Sequence, residues 1–118
     1  MTQRFGPDLL RGSLDLMVLS ILSRGSTYGY DLQQKLRDAS RDLVQVQAGT
    51  LYPLLHRLES DGYIRSKWDN TEGRKRKWYE LTPPGKKRLV AQAREWDQYV
   101  ACIQTVLAPL RMMNPELA

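Results

Sequence analysis

The chain has 118 residues, with 18 lysines and arginines against 13 acids, for a formal charge of +5. That length fits one domain with a modest core, and a lone domain of this size gains from a partner subunit. A single cysteine, Cys102, excludes an internal disulfide framework and points to a reducing cytoplasm; the apolar run Leu14 to Leu22 is too short for a membrane span, and with no small-residue cleavage site after it no signal peptide is expected.

Residues 1 to 8 read as a flexible start, with Gly6-Pro7 as a breaker. Leu9 to Ser23 has helical spacing. Leu10, Leu14, Met17 and Ile21 share one face, and Leu16, Leu19 and Leu22 another. A helix apolar on two sides needs cover on two sides. One cover is the rest of the domain; a second copy of the chain is a candidate for the other. Arg24-Gly25-Ser26 is a turn, and Ser26 or Thr27 is placed to cap a second helix, Tyr28 to Ala39, with Tyr28, Leu32 and Leu36 inward.

After a connection at Ser40 to Gln47 comes a helix over 48 to 61. Leu51, Leu54, Leu55 and Leu58 recur at i, i+3, i+4 and i+7 and form an apolar stripe. Thr50, Tyr52, His56, Arg57 and Ser60 are left on the exposed side. Pro53 lies in the first turn, where proline costs little, and Gly62 is placed to close the helix.

Tyr63 to Trp68 and Lys75 to Leu81 read as the strands of a hairpin around Asn70 to Gly73. The run Arg74-Lys75-Arg76-Lys77 is basic and interrupted by no acid. Trp68 and Trp78 are expected to pack within the hairpin. Thr82-Pro83-Pro84 opens a last helix, expected to end near Leu107, before Pro109. In it Leu89, Ala93, Trp96, Val100, Ile103 and Leu107 are spaced 4, 3, 4, 3, 4, a heptad seam. Over its roughly 36 Å so small a domain cannot cover all of it. Packing on its own core is the plain alternative to pairing with another copy.

The order helix, helix, helix, strand, strand is that of a winged helix. The fold class is therefore mainly α (α+β), a winged helix-turn-helix domain over 1 to 82 with a C-terminal dimerisation helix and tail over 83 to 118. In such readers the second helix of the pair enters the major groove with its N-terminal residues nearest the bases. That assigns Thr50, Tyr52, His56 and Arg57 to base or phosphate contact. The basic run Arg74, Lys75, Arg76 and Lys77 is matched to phosphate. The alternative for the first is an ordinary amphipathic surface helix, and for the second a solvated hairpin. Double-stranded DNA is the expected partner. A winged helix docking on protein instead would show an apolar exposed face.

An enzyme is not indicated. His56 and Cys102 lie on different helices, no cluster has metal-ligand spacing, and no nucleophile has an adjacent base. Neither a cofactor nor a metal is expected. Trp96 is either a packing residue of the seam or the wall of a cavity for a flat aromatic molecule.

The segments Gly12-Ser13-Leu14-Asp15-Leu16, Tyr28-Gly29-Tyr30-Asp31-Leu32, Gly49 to Glu59 and Tyr79-Glu80-Leu81-Thr82-Pro83-Pro84-Gly85 resemble the PadR family of bacterial transcriptional regulators. The likeness runs over about residues 9 to 100, and Gly49 to Glu59 is its most specific part. The single long final helix resembles the compact subgroup of that family. The resemblance implies a homodimer bound to a palindromic operator, usually as a repressor, in the bacterial cytoplasm. It implies recognition-helix contacts from Thr50, Tyr52 and Arg57, with Tyr28 and Tyr30 near the DNA backbone. It places Arg74, Arg76 and Lys77 in the wing. It also implies a dimer interface that includes Leu10, Leu14, Met17 and the seam. A small aromatic effector at that interface, against Trp96, is a further implication for some members of the subgroup.

Overall fold

A computed structural model of the chain describes residue 10 and residues 12 to 117. The expected flexible start and the expected helix start at Leu9 lie outside the described residues. The elements in chain order are α1 (Leu14–Leu22), β1 (Thr27–Tyr28), α2 (Gly29–Ala39), α3 (Ala48–Ser60), β2 (Ile64–Asp69), β3 (Arg76–Leu81) and α4 (Pro83–Met113). Short 3-10 turns occupy Thr71–Gly73 and Pro115–Leu117. The strands form one antiparallel sheet in the order β1-β3-β2.

The leucine stripes do what their spacing dictates. Val18, Leu19, Leu32, Leu51, Leu55, Leu58 and Ile64 are fully buried where α1, α2 and α3 meet the inner face of the sheet. Each such side chain stabilises the fold by about 1.5–3 kcal/mol relative to exposure. Leu14 and Ile21 join this core, and Leu10 and Met17 pack partly against it. Leu14, expected at a subunit interface, is thus already covered by its own domain.

Three local expectations are corrected. Thr27 does not cap α2: its hydroxyl donates to the Gly25 carbonyl, and Thr27–Tyr28 is a strand paired with Trp78 and Tyr79. The helix therefore starts at Gly29, with Tyr28 at its N-cap position. The last helix does not stop before Pro109 but runs through it to Met113. The proline removes one donor, to the Thr105 carbonyl, and that stretch is exposed, so water can satisfy the carbonyl.

The link between α2 and α3 is a Schellman closure. The Asp42 amide donates to the Arg37 carbonyl at 2.8 Å and the Arg41 amide to that of Asp38 at 3.3 Å. Arg41 and Asp42 both have positive φ, 54° and 67°. A non-glycine residue there is strained by about 1–2 kcal/mol. The buried Val44 and Val46 hold the link, and Gln33 Nε2 donates to the Val46 carbonyl.

The expected cap of the last helix is present. Thr82 Oγ1 accepts from the Gly85 amide at 3.1 Å and donates to the Gly62 carbonyl at 2.6 Å, while the Thr82 amide donates to the Tyr63 carbonyl. Gly62 has φ of 81° and closes α3 as expected. Gly85 is buried against this corner, where a Cβ would lie 1.9 Å from the Tyr63 carbonyl oxygen. Gly85→Ala therefore forces α4 off the sheet corner and lowers stability by about 1–3 kcal/mol. A urea midpoint equal to that of wild type would contradict this packing.

Candidate nucleic-acid interface

The exposed face of α3 carries Thr50, Tyr52, His56, Arg57 and Ser60, while Leu51, Leu54, Leu55 and Leu58 turn inward. The polar face is thus set by the buried one. Beside it stands the β2–β3 hairpin. Arg74 and Lys75 lie on its return leg, and Arg76 and Lys77 are already in β3. Between helix and hairpin runs an open groove of about 620 Å³, lined by Tyr30, Tyr52, His56, Trp68, Arg74, Lys75, Arg76, Lys77 and Tyr79.

Seven of the ten residues expected to meet DNA therefore converge: Tyr30, Tyr52, His56 and the four cations. Thr50 is exposed on the same helix but does not line the groove. Tyr28 and Arg57 are placed differently. Tyr28 is half-buried behind the groove, its ring 4.2 Å from that of Trp78 and 5.6 Å from that of Tyr30. Arg57 turns to α1, where its guanidinium makes two 2.8 Å hydrogen bonds with the Asp15 carboxylate. That bond raises the Arg57 pKa above its ordinary value. With the two side chains 54% and 22% exposed, the pair contributes under about 1 kcal/mol. It turns the guanidinium away from the groove, while the buried leucines hold α3 on α1.

Gly29 explains how close the two walls come. Its missing side chain leaves room for Tyr52 and Tyr79, whose rings a Cβ would meet at 3.4 and 3.1 Å. Burial raises the Tyr79 pKa, with Glu59 adding to the effect. Glu59, at the end of α3, reaches across to the sheet. It accepts from the Ser66 hydroxyl and pairs with Lys77 at 3.9 Å.

A second node lies at the hairpin tip. The Asp69 carboxylate accepts from the Tyr28 hydroxyl at 2.8 Å, from Trp78 Nε1 at 3.2 Å, and from the amide and hydroxyl of Thr71. The two Thr71 bonds, then those of Tyr28 and Trp78, hold this carboxyl well below the usual carboxylate range. The Arg76 guanidinium stacks over the Tyr28 ring at 5.3 Å. Glu59 and Asp15 leave no mark in the sequence pattern, because their partners are brought in from other elements; Asp69 has a local partner in Thr71, but Tyr28 and Trp78 reach it from other strands. Trp68, expected to pack in the hairpin, is instead 58% exposed, and Trp78 alone packs.

The seam residues of α4 are placed apart from this groove. Leu89 packs against the core and Ala93, Val100 and Leu107 are half-buried, while Trp96 and Ile103 are 39% and 38% exposed. A groove of about 270 Å³ between α1 and α4 is lined by Gly12, Leu16, Arg88, Gln92, Glu95, Trp96 and Tyr99. The Trp96 and Tyr99 rings lie 5.9 Å apart. The Gln92 side-chain oxygen is buried there with no hydrogen-bond partner. Among the described residues, no group of His, Cys, Asp and Glu is placed to hold a metal ion, and no helix is long and apolar enough to cross a membrane.

A hairpin with a basic return leg set beside the polar face of a helix-turn-helix defines the winged-helix class. Residues 18–91 match the PadR-like family of transcriptional regulators. The transcriptional regulator Rv3488 of Mycobacterium tuberculosis is 36% identical over 88 residues, which cover 75% of this chain and 79% of that protein. A PadR family transcriptional regulator from Eggerthella lenta has a similar structure, with a TM-score of 0.77, 38% identity, and coverage of 85% of this chain and 86% of that one. A transcriptional regulator from Clostridium thermocellum gives a TM-score of 0.78 at 34% identity, covering 83% and 96%. The chain belongs to the PadR-like family of transcriptional regulators. Regulators of this family bind DNA.

The Asp69 node predicts a pH signature. A group whose pKa is lowered by folding stabilises the fold above its unfolded pKa and loses that contribution as pH falls through the lowered value. Asp69→Asn should lower the melting temperature at pH 7, and the gap from wild type should narrow below about pH 4. A gap that is absent at pH 7, or constant with pH, would contradict the role given to this carboxylate.

Proposed function

We propose that the chain is a homodimeric repressor in the bacterial cytoplasm that grips a palindromic operator through two copies of the α3–hairpin groove. The convergence of Tyr30, Tyr52, His56 and Arg74 to Lys77 on one groove carries this reading. In each half-site α3 enters the major groove, with Thr50 and Tyr52 nearest the base edges. The hairpin takes the flanking phosphates. Tyr28 acts by holding the hairpin. Arg57 reaches DNA only by exchanging Asp15 for a phosphate or a guanine.

The dimer reading is supported by what α4 leaves uncovered. This helix of 31 residues has one buried residue, Gly85, and exposes Val106, Leu110, Met112 and Met113 beyond Trp96 and Ile103. Pairing of two such helices through Leu89, Ala93, Trp96, Val100, Ile103 and Leu107, with the edges of Leu10 and Met17 beside them, would bury this surface. It would also fix the spacing of the two reading helices near the roughly 34 Å that adjacent major grooves require. A flat aromatic effector against Trp96 at the dimer interface, with Gln92 as a hydrogen-bond acceptor, would release the operator by favouring a different spacing.

Two measurements test this. If Arg74 to Lys77 of both protomers meet phosphate, a dimer displaces about eight counterions, and log affinity falls against log salt with a slope near −7. A gel shift on the DNA flanking the chain's own coding region, with affinity flat in salt, would refute phosphate contact. Light scattering should give a dimer for the wild type and a monomer for Ile103→Asp, which buries an unpaired carboxylate in the seam. A wild-type monomer at micromolar concentration would refute the dimer.

A further inference from the structure

The inner face of the sheet does not end where the core ends. Along β2 and β3 the paired residues on that face are Ile64 with Leu81, Ser66 with Tyr79, and Trp68 with Lys77. Ile64, Tyr79 and Leu81 are buried under the helices. One pair further out, the helices no longer cover the sheet, and the indole of Trp68 overhangs the groove beside α3, 58% exposed. Leaving so large an apolar ring in water forgoes the stabilisation that burial would supply. Its cover is two cations: Lys75 Nζ lies 4.8 Å and Lys77 Nζ 5.6 Å from the ring centre. Both ammonium groups are thereby held at the groove wall by cation–π attraction.

We propose that Trp68 is a DNA-contact residue, its indole packing on a deoxyribose of the duplex backbone while Lys75 and Lys77 take the phosphates on either side. The inference rests on the reading of this groove as the duplex site and adds to it an interaction that is not electrostatic. Charge complementarity selects the occupant, because the same wall carries Arg74 to Lys77. An apolar ring with two ammonium groups 4.8 and 5.6 Å from its centre suits a strand that offers sugar and phosphate side by side. Phosphate contacts set register, and apolar packing beside them penalises a strand displaced by half a nucleotide.

The test separates the ring from the charges. Trp68→Ala should weaken duplex affinity on the order of tenfold, because the sugar no longer has an apolar surface to pack on. Its salt slope should match that of wild type, since no cation is removed. Lys75→Ala should instead make the salt slope shallower, by about one for each phosphate that is no longer gripped. Trp68→Phe should recover most of the affinity. In the wild-type chain labelled with 5-fluorotryptophan, the fluorine resonance assigned to Trp68 should move on adding duplex, which reads the interaction without any substitution. Wild-type affinity for Trp68→Ala, or an unmoved Trp68 resonance at saturating duplex, would overturn the inference while leaving the groove reading intact. A wild type whose binding is flat in salt would take both down.

Discussion

Two residues of strand hold the interface together. Thr27 and Tyr28 pair with Tyr79 and Trp78, and this short ladder seats the start of α2 on the outer strand pair. It adds to the core, where Ile64, Tyr79 and Leu81 of the hairpin strands are buried against the helices, a backbone tie at the head of α2. With it, the Tyr28 hydroxyl reaches Asp69 at the far end of β2, and the hairpin tip is tied to the head of the helix pair. From the other side Glu59 ties the end of α3 to Ser66 and Lys77. The width of the groove follows from these two ties and from the absence of a side chain at Gly29. The reading helix and the basic hairpin are thereby held at a fixed separation before any duplex arrives, so little ordering cost remains at binding.

The charges are sorted in the same way. Outside the groove, acids sit on the cations: Asp15 on Arg57, and Glu80 on both Arg65 and Lys67. Hydrogen bonding from Arg65 holds the Glu80 pKa below its ordinary value. Inside the groove the basic wall is made from four consecutive residues with aromatic rings interleaved, and there Glu59 pairs with Lys77. A net charge of +5 says little about binding; its placement on one wall makes a local field that a polyanion senses. Asp15 gives α1 a part in this, since the helix that carries Asp15 towards α3 also carries Leu16 into the groove along α4.

Much of this is legible in the sequence, and the reasons are specific. The stripe Leu51, Leu54, Leu55 and Leu58 has the helical period, so it reveals both the buried and the polar face of α3. Gly62 and Thr82 carry local capping chemistry that needs no tertiary context. The ladder at Thr27–Tyr28 is hidden because two residues have no period, and they read as the head of the next helix. Asp15 and Arg57 are 42 residues apart, and nothing local marks them as partners. The end of α4 escapes the pattern because an interior proline disfavours a helix without forcing it to end, and here the freed carbonyl is open to water. Trp68 reads as hairpin packing because alternation gives the face of a residue but not how far the cover on that face extends.

If α3 and the hairpin act as one rigid groove closed around a single strand of duplex, their residues must sense DNA together. Amide chemical shifts of the isotope-labelled protein, followed during titration with the DNA flanking its own coding region, decide the matter. Amides of residues 49 to 57 and 68 to 77 should shift together, with a single dependence on duplex concentration. Shifts confined to one of the two segments, or centred on the separate groove of Arg24, Lys35 and Ala39, would contradict a shared rigid site.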